Sequence, residues 1–172
     1  EENNIAPIET DLGEYIVQLA EEYPSHIIAP AVHKTKDQVA DLFYSHHKNK
    51  GAKRRLEGVE ELVDEARQML RQKFLSADVG ITGANFLVAE TGTTTIVTNE
   101  GNGDLTQILP KTHVVLATLE KVIPTLNVMS TILRILARSA TGQEFSAYTT
   151  MSTGPKRAGD LDGPENFHVI LL

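Results

Sequence analysis

Glycine, hydroxyl and carboxylate residues crowd the stretch between Gly80 and Asp104: Gly80-Ile81-Thr82-Gly83-Ala84-Asn85, Glu90-Thr91-Gly92-Thr93-Thr94-Thr95 and Asn99-Glu100-Gly101-Asn102-Gly103-Asp104. Glycine lets a ligand approach the main chain, and exposed N–H groups beside Thr hydroxyls bind phosphate or carboxylate oxygens. Thr82, Gly83, Thr91, Gly92, Thr93, Thr94, Asn99 and Gly101 are therefore the candidate ligand contacts on this side. Any one of these glycines is explained as well by a turn, and any one threonine by a strand. Three clusters in succession point to a site. Glu90 and Glu100 stand beside glycine-rich backbone at expected strand ends, where a carboxylate serves as base or nucleophile. The plainer role for each is to cap backbone N–H groups or to pair with a cation.

A second loop, Ser152-Thr153-Gly154-Pro155-Lys156-Arg157-Ala158-Gly159-Asp160, follows an expected strand and combines hydroxyls, a Gly-Pro turn, two cations and a carboxylate. Ser152, Thr153, Gly154, Arg157 and Asp160 join the candidate contacts, Arg157 as the cation that neutralises a bound anion. An exposed loop with solubilising charge reads equally well. His33, at the end of an expected strand, is the histidine placed nearest a ligand. His46 and His47 are adjacent, so they point different ways on a helix. With no Cys and no His-x-x-x-His pair, no metal site is expected.

Gly101-Asn102-Gly103-Asp104-Leu105-Thr106 has the look of a dinucleotide-binding glycine loop, but the helix that such a loop must open is not expected before Pro110. Nicotinamide binding there is disfavoured. Lys48 to Arg55 is a basic run without interleaved aromatics, better read as a solvated linker than as a nucleic-acid patch.

The elements that must position these loops follow from periodicity. A short strand is expected over Ile5 to Ile8, a helix after the capping-box pair Asp11 and Glu14, a strand over Ser25 to Val32, and a second helix after the pair Thr35 and Gln38. Val59 to Phe74 carries the clearest helical spacing. Strands are expected over Phe86 to Ala89, Thr94 to Thr98, His113 to Thr118, Phe145 to Met151 and Phe167 to Leu172, with a hairpin at Thr91-Gly92-Thr93 and a helix from Thr125 to Ala140 stopped by Gly142. Alternating strands and helices predict a three-layer α/β domain spanning 1–172: a mostly parallel sheet, helices on both faces and one antiparallel hairpin.

Bulk properties narrow the function classes. Aromatics are 5% of the 172 residues and Trp is absent, so the core rests on Val, Ile, Leu and Ala, as buried parallel strands do. A formal charge of −7 argues against a nucleic-acid or anionic-membrane surface. No apolar run approaches the ~20 residues of a membrane span, and no signal peptide is visible, so a cytoplasmic location is expected. Zero cysteines leave no thiolate for a cluster or zinc site. The missing initial Met and the apolar end at Leu172 read as a domain excised from a longer protein.

Several separate blocks carry a family resemblance: Glu9-Thr10-Asp11-Leu12-Gly13-Glu14-Tyr15-Ile16-Val17-Gln18-Leu19, Pro24-Ser25-His26-Ile27, Pro30-Ala31-Val32-His33-Lys34, Ile81-Thr82-Gly83-Ala84-Asn85, Ala89-Glu90-Thr91-Gly92-Thr93, and Gly154-Pro155-Lys156-Arg157 with Asp160-Leu161-Asp162-Gly163-Pro164. Together they resemble the lactate-utilisation iron–sulfur subunit family, and more widely the lactate utilisation domain family. The resemblance implies a fold similar to the phosphosugar-isomerase and coenzyme A transferase superfamily, and a place among the subunits of a complex that oxidises L-lactate to pyruvate. It also implies [4Fe–4S] clusters and electron transport in a cysteine-rich, ferredoxin-like segment that follows this domain in the parent protein and is absent here. The expected role is thus a non-redox module that holds a small anionic metabolite or a partner subunit, with self-association open. The alternative is a transferase or isomerase using Glu90 or Glu100.

Overall fold

The computed structural model describes residues 4–47, 55–98, 100–144, 146 and 148–172. Outside them lie the site candidate Asn99, Phe145 at the start of an expected strand, and the basic run apart from Arg55. The chain divides into two compact units, Glu1–Lys73 and Phe74–Leu172.

The first unit is helical. Helix α1, Leu12–Ala20, starts where the Asp11 carboxylate accepts the Gly13 N–H at 3.0 Å, and it stops at Glu21 with φ 54°. Helix α2, Lys36–His47, opens on the expected capping box: Thr35 N donates to Gln38 Oε1 at 2.8 Å, and Gln38 N donates to Thr35 Oγ1 at 3.3 Å. Thr35→Ala removes one half of that exchange. We expect it to lower stability by about 1 kcal/mol, read as a shift in urea midpoint at unchanged slope. Helix α3, Val59–Ser76, starts in this unit, with the Gly58 N–H donating to the Glu61 carboxylate at 3.2 Å. Ile16, Val17, Ala40, Phe43, Leu62 and Ala66 are buried between these helices. His47 is 1% exposed among them and both ring nitrogens are satisfied, by Tyr15 Oη at 2.8 Å and Glu65 Oε1 at 2.7 Å. Neighbouring His46 is exposed, as adjacent helical residues require.

Two expected strands do not form. Ile5 to Ile8 and Ser25 to Val32 are irregular, and the first unit contains no strand among its described residues. Pro7 and Pro30 each remove a ladder donor from one of these segments. Local partners take the backbone instead: Gln18 bonds Pro7 O and Glu9 N, each at 3.0 Å.

The second unit is α/β, with strands divided between two sheets. Strands β1 (Val79–Thr82), β4 (Thr112–Ala117) and β7 (Asn166–Leu171) form a parallel sheet in the order β1-β4-β7. Strands β2 (Phe86–Val88), β3 (Thr93–Thr98), β5 (Val122–Ile123) and β6 (Tyr148–Ser152) form a mixed sheet in the order β5-β2-β3-β6. There β2–β3 is the expected antiparallel hairpin, β3–β6 is a second antiparallel pair, and β2–β5 is parallel. Most pairings are parallel, as the alternation of elements predicts.

One expectation is corrected. The stretch after Gly101 does form a helix, α4, Asn102–Ile108. It has no side-chain N-cap and only seven residues, so its signal in sequence is slight. Tertiary seating compensates: a Cβ built on Gly80 in β1 would lie 1.9 Å from Thr106 O, so α4 rests directly on that strand. Helix α4 joins strands of different sheets, so the strand–helix–strand unit of a dinucleotide fold is still not built there. Helix α5, Leu126–Thr141, runs from its Thr125 cap to Gly142 at φ 73° and packs Met129 against Phe86 and Val88.

Candidate functional site

The four residues Ala89 to Gly92 connect β2 to β3. Both the Thr91 and Gly92 N–H groups donate to Val88 O, at 3.3 and 2.8 Å, and Gly92 takes φ 69°, where a glycine avoids the Cβ penalty. This turn aims hydroxyls at one another: Thr91 Oγ1 lies 2.7 Å from Thr93 Oγ1, which lies 2.8 Å from Thr153 Oγ1. The β3–β6 ladder makes the second contact possible, because Thr94 pairs with Ser152 and places Thr153 just beyond it. Two loops singled out separately in the sequence are thus joined. Ser152 is fixed in turn, its Oγ donating to Gln107 Oε1 at 2.9 Å while Gln107 Nε2 donates to Gly103 O at 3.1 Å. Thr94 Oγ1 makes a long contact of 3.4 Å to Ser152 O.

Three hydroxyls carry three protons, and two mutual bonds use two of them. One O–H is left to donate, with lone pairs still open. Thr93 is 5% exposed, whereas Thr91 and Thr153 are exposed, so the chain is open to solvent at its ends. Beyond Thr153 the backbone turns at Gly154, φ 75°. Asp160 closes its own turn by accepting Arg157 N at 2.7 Å. The Arg157 guanidinium has no ion-pair partner among the described residues, while Lys156 sits 3.7 Å from Glu165. A donor hydroxyl, with an arginine four residues along the same loop, is a composition that suits a small oxyanion such as a carboxylate. Glu90 is exposed beside Thr91, its carboxylate 3.4 Å from the Leu126 N–H at the start of α5.

The remaining candidates lie elsewhere. Glu100 and Gly101 follow the far end of β3, roughly 17 Å along the strand from Thr93. Thr82 ends β1 in the other sheet, where its Oγ1 bonds His113 Nε2 at 2.9 Å, and Gly83 follows the strand. His33 belongs to the first unit, held between Ser25 Oγ and Glu22 Oε2, each at 2.8 Å. Lys34 and His33 hold the Glu22 carboxyl below its ordinary range. This serine–histidine–carboxylate chain is a loop staple, because Ser25 Oγ donates to Pro30 O at 3.0 Å.

Sequence reasoning passed over His113. It is 1% exposed in β4, its Nδ1 has no hydrogen-bond partner, and burial pushes its pKa down to about 4. The available signal was a lone imidazole opening the apolar run His113-Val114-Val115-Leu116.

The profile of the LUD domain matches residues 1–172. The chain belongs to the LUD domain family. Among curated proteins this LUD domain is similar to lactate utilization protein B of Anoxybacillus flavithermus, 51% identical over 166 residues, which are 96% of this chain and 34% of that protein. Lactate utilization protein B of Bacillus velezensis is 47% identical over 173 aligned positions, covering 100% and 36%, and that of Bacillus subtilis is 48% identical over 166, covering 96% and 34%. The chain spans about a third of the length of the curated relatives it matches. Among solved structures, a DUF162 family protein from Deinococcus radiodurans aligns over 58% of this chain and 56% of its own, at 19% identity and TM-score 0.42.

The side chains of this LUD domain do not fit an iron–sulfur cluster, since it has no cysteine. Among the described residues no three His, Asp or Glu groups converge on a metal position, and no helix is long and apolar enough to cross a membrane.

Proposed function

We propose that this LUD domain is the non-redox part of a protein that acts with other subunits in the oxidation of L-lactate to pyruvate, and that it holds a small carboxylate at the Thr91–Thr93–Thr153 hydroxyl chain. The names of the relatives support the pathway class. The observation that carries the site is the 2.8 Å contact between Thr93 and Thr153, which ties two anion-suited loops together across 60 residues. The electron carriers, in this reading, are [4Fe–4S] clusters in the portion of the parent protein beyond this domain.

The carboxylate reading makes a direct prediction. L-Lactate or pyruvate raises the melting temperature of the chain, and calorimetric titration gives a saturable heat. Thr93→Val keeps the shape and removes the central hydroxyl, and it is expected to weaken binding by about tenfold; Arg157→Ala weakens it by a similar factor. Heats that are flat for lactate, pyruvate and inorganic phosphate alike would mean that the hydroxyl chain holds none of these anions.

A further inference from the structure

We infer that the outer face of the β1-β4-β7 sheet is the seat of an amphipathic helix contributed by the part of the full-length protein outside these 172 residues. Register fixes which side chains share that face. Val79 pairs with Thr112 and Thr112 with Asn166; Ile81 pairs with Val114 and Val114 with His168; Leu116 pairs with Ile170. Alternation along each strand puts these three rows on one side of the sheet, and the row Gly80, His113 and Phe167 on the other.

The two faces are buried unequally. On the inner side His113 and Val115 are each 1% exposed, and α4 rests on Gly80. On the outer side Val79 is 49% exposed, Ile81 60%, Leu116 40% and Ile170 46%. Those four and the half-buried Val114 make one contiguous apolar patch, and no position in the three rows carries Asp, Glu, Lys or Arg. A sheet with one face in water alternates apolar and polar residues along its strands. Strands that are apolar on both sides belong to parallel sheets covered on both faces by helices.

Connectivity explains why this face is bare. The chain steps one way across the sheet, from β1 to β4 to β7, and right-handed crossovers that step one way keep their connecting segments on a single face. Helix α4, in the first of these connections, marks that face as the inner one. The covering element therefore comes from chain outside both crossovers. The helices of the first unit already bury their apolar stripes against one another, through Ile16, Phe43 and Leu62 among others. Further chain is available in the curated relatives, of whose length this chain spans about a third. The patch runs two side-chain steps along the strands, about 13 Å, which a helix of about ten residues covers with an apolar stripe at i, i+3, i+4 and i+7. The inference rests on the reading that the full-length protein extends beyond this chain, and not on the carboxylate site.

The test uses the natural full-length protein. Hydroxyl-radical footprinting read by mass spectrometry compares oxidation of Ile81, Leu116 and Ile170 with that of Leu161, a fully exposed side chain of the same unit. Covered by a helix, the three outer residues oxidise at less than about a tenth of the Leu161 rate; about half that rate, as their exposure in this chain implies, overturns the inference. Benzoylphenylalanine in place of Ile81 then identifies the cover by photo-cross-linking. The expected product is a link within one polypeptide to a peptide outside residues 1–172. A covalent dimer, a link to a different polypeptide or a link to a peptide of residues 1–73 overturns it. Intact mass separates the two readings. A natural polypeptide of no more than these residues removes the extended protein and the inference with it, whereas a longer one with a bare face removes the inference alone.

Discussion

Gly80→Ala is expected to cost about 3 kcal/mol, a large share of the net stability of a domain this size. A methyl group there would lie 1.9 Å from Thr106 O and 3.1 Å from the Pro110 ring. The first contact is with backbone, which cannot rotate away, so α4 must lift from β1 or the strand must bend. Either movement disturbs Gln107, and through it the bond that holds Ser152. Gly83→Ala, three residues on, is the matched control: its nearest neighbour would be Leu116 O at 3.9 Å, an ordinary contact. Urea unfolding of the pair checks the prediction. Equal midpoints would mean that α4 is not seated on β1.

The second large effect is acid sensitivity through His113. Burial lowers its pKa in the folded chain to about 4, against 6.5 for the free side chain. Between those values the unfolded chain takes up a proton that the folded chain refuses, so stability falls as pH falls from about 6.5 to about 4, then levels off. The loss amounts to about 3 kcal/mol over that window. Among the described residues the Thr82 hydroxyl is the ring's one hydrogen-bond partner and Phe167 packs edge-on at 5.4 Å, so the unpartnered Nδ1 gives an imidazolium nothing to donate to. The measurement is the urea midpoint from pH 7.5 to 4 for the natural chain and for His113→Leu. The variant should start less stable, with Thr82 unpaired, yet lose much less on acidification. Parallel slopes would show that other groups carry the acid response.

The helices were legible because their ends are written in local chemistry. Thr35 with Gln38, Thr125 and Gly142 each act within one turn, and each sits where the residue pattern places it. The β2–β3 turn was legible for the same reason, through Gly92. Strand pairing is not local. Ile5 to Ile8 and Ser25 to Val32 have strand-like composition but no partner strand, and prolines withdraw their donors. Conversely, Val79–Thr82 and the two-residue β5 are too short to show a period and exist because β4 and β2 lie beside them. Helix α4 is held by the absence of a side chain at Gly80, a condition written 22 residues before it begins. At the site, the hydroxyl-rich composition was visible in both loops. Their meeting was not, because it depends on the register of β3 against β6. The remaining candidates separate for the same reason: Glu100 and Gly101 lie near Thr93 in sequence and a strand's length from it in space.

That register also orders the assembly of the domain. The β2–β3 hairpin closes a connection of four residues, whereas β3–β6 brings together positions 50 to 58 apart and β4–β7 positions 54 apart. Closing a longer chain segment costs more entropy before any contact compensates it, and chains dominated by distant pairings fold slowly. The hairpin with Thr91 and Thr93 can form early, but Thr153 arrives only when β6 docks. The hydroxyl chain is therefore completed after the hairpin, and its presence reports that the distant β3–β6 ladder has closed.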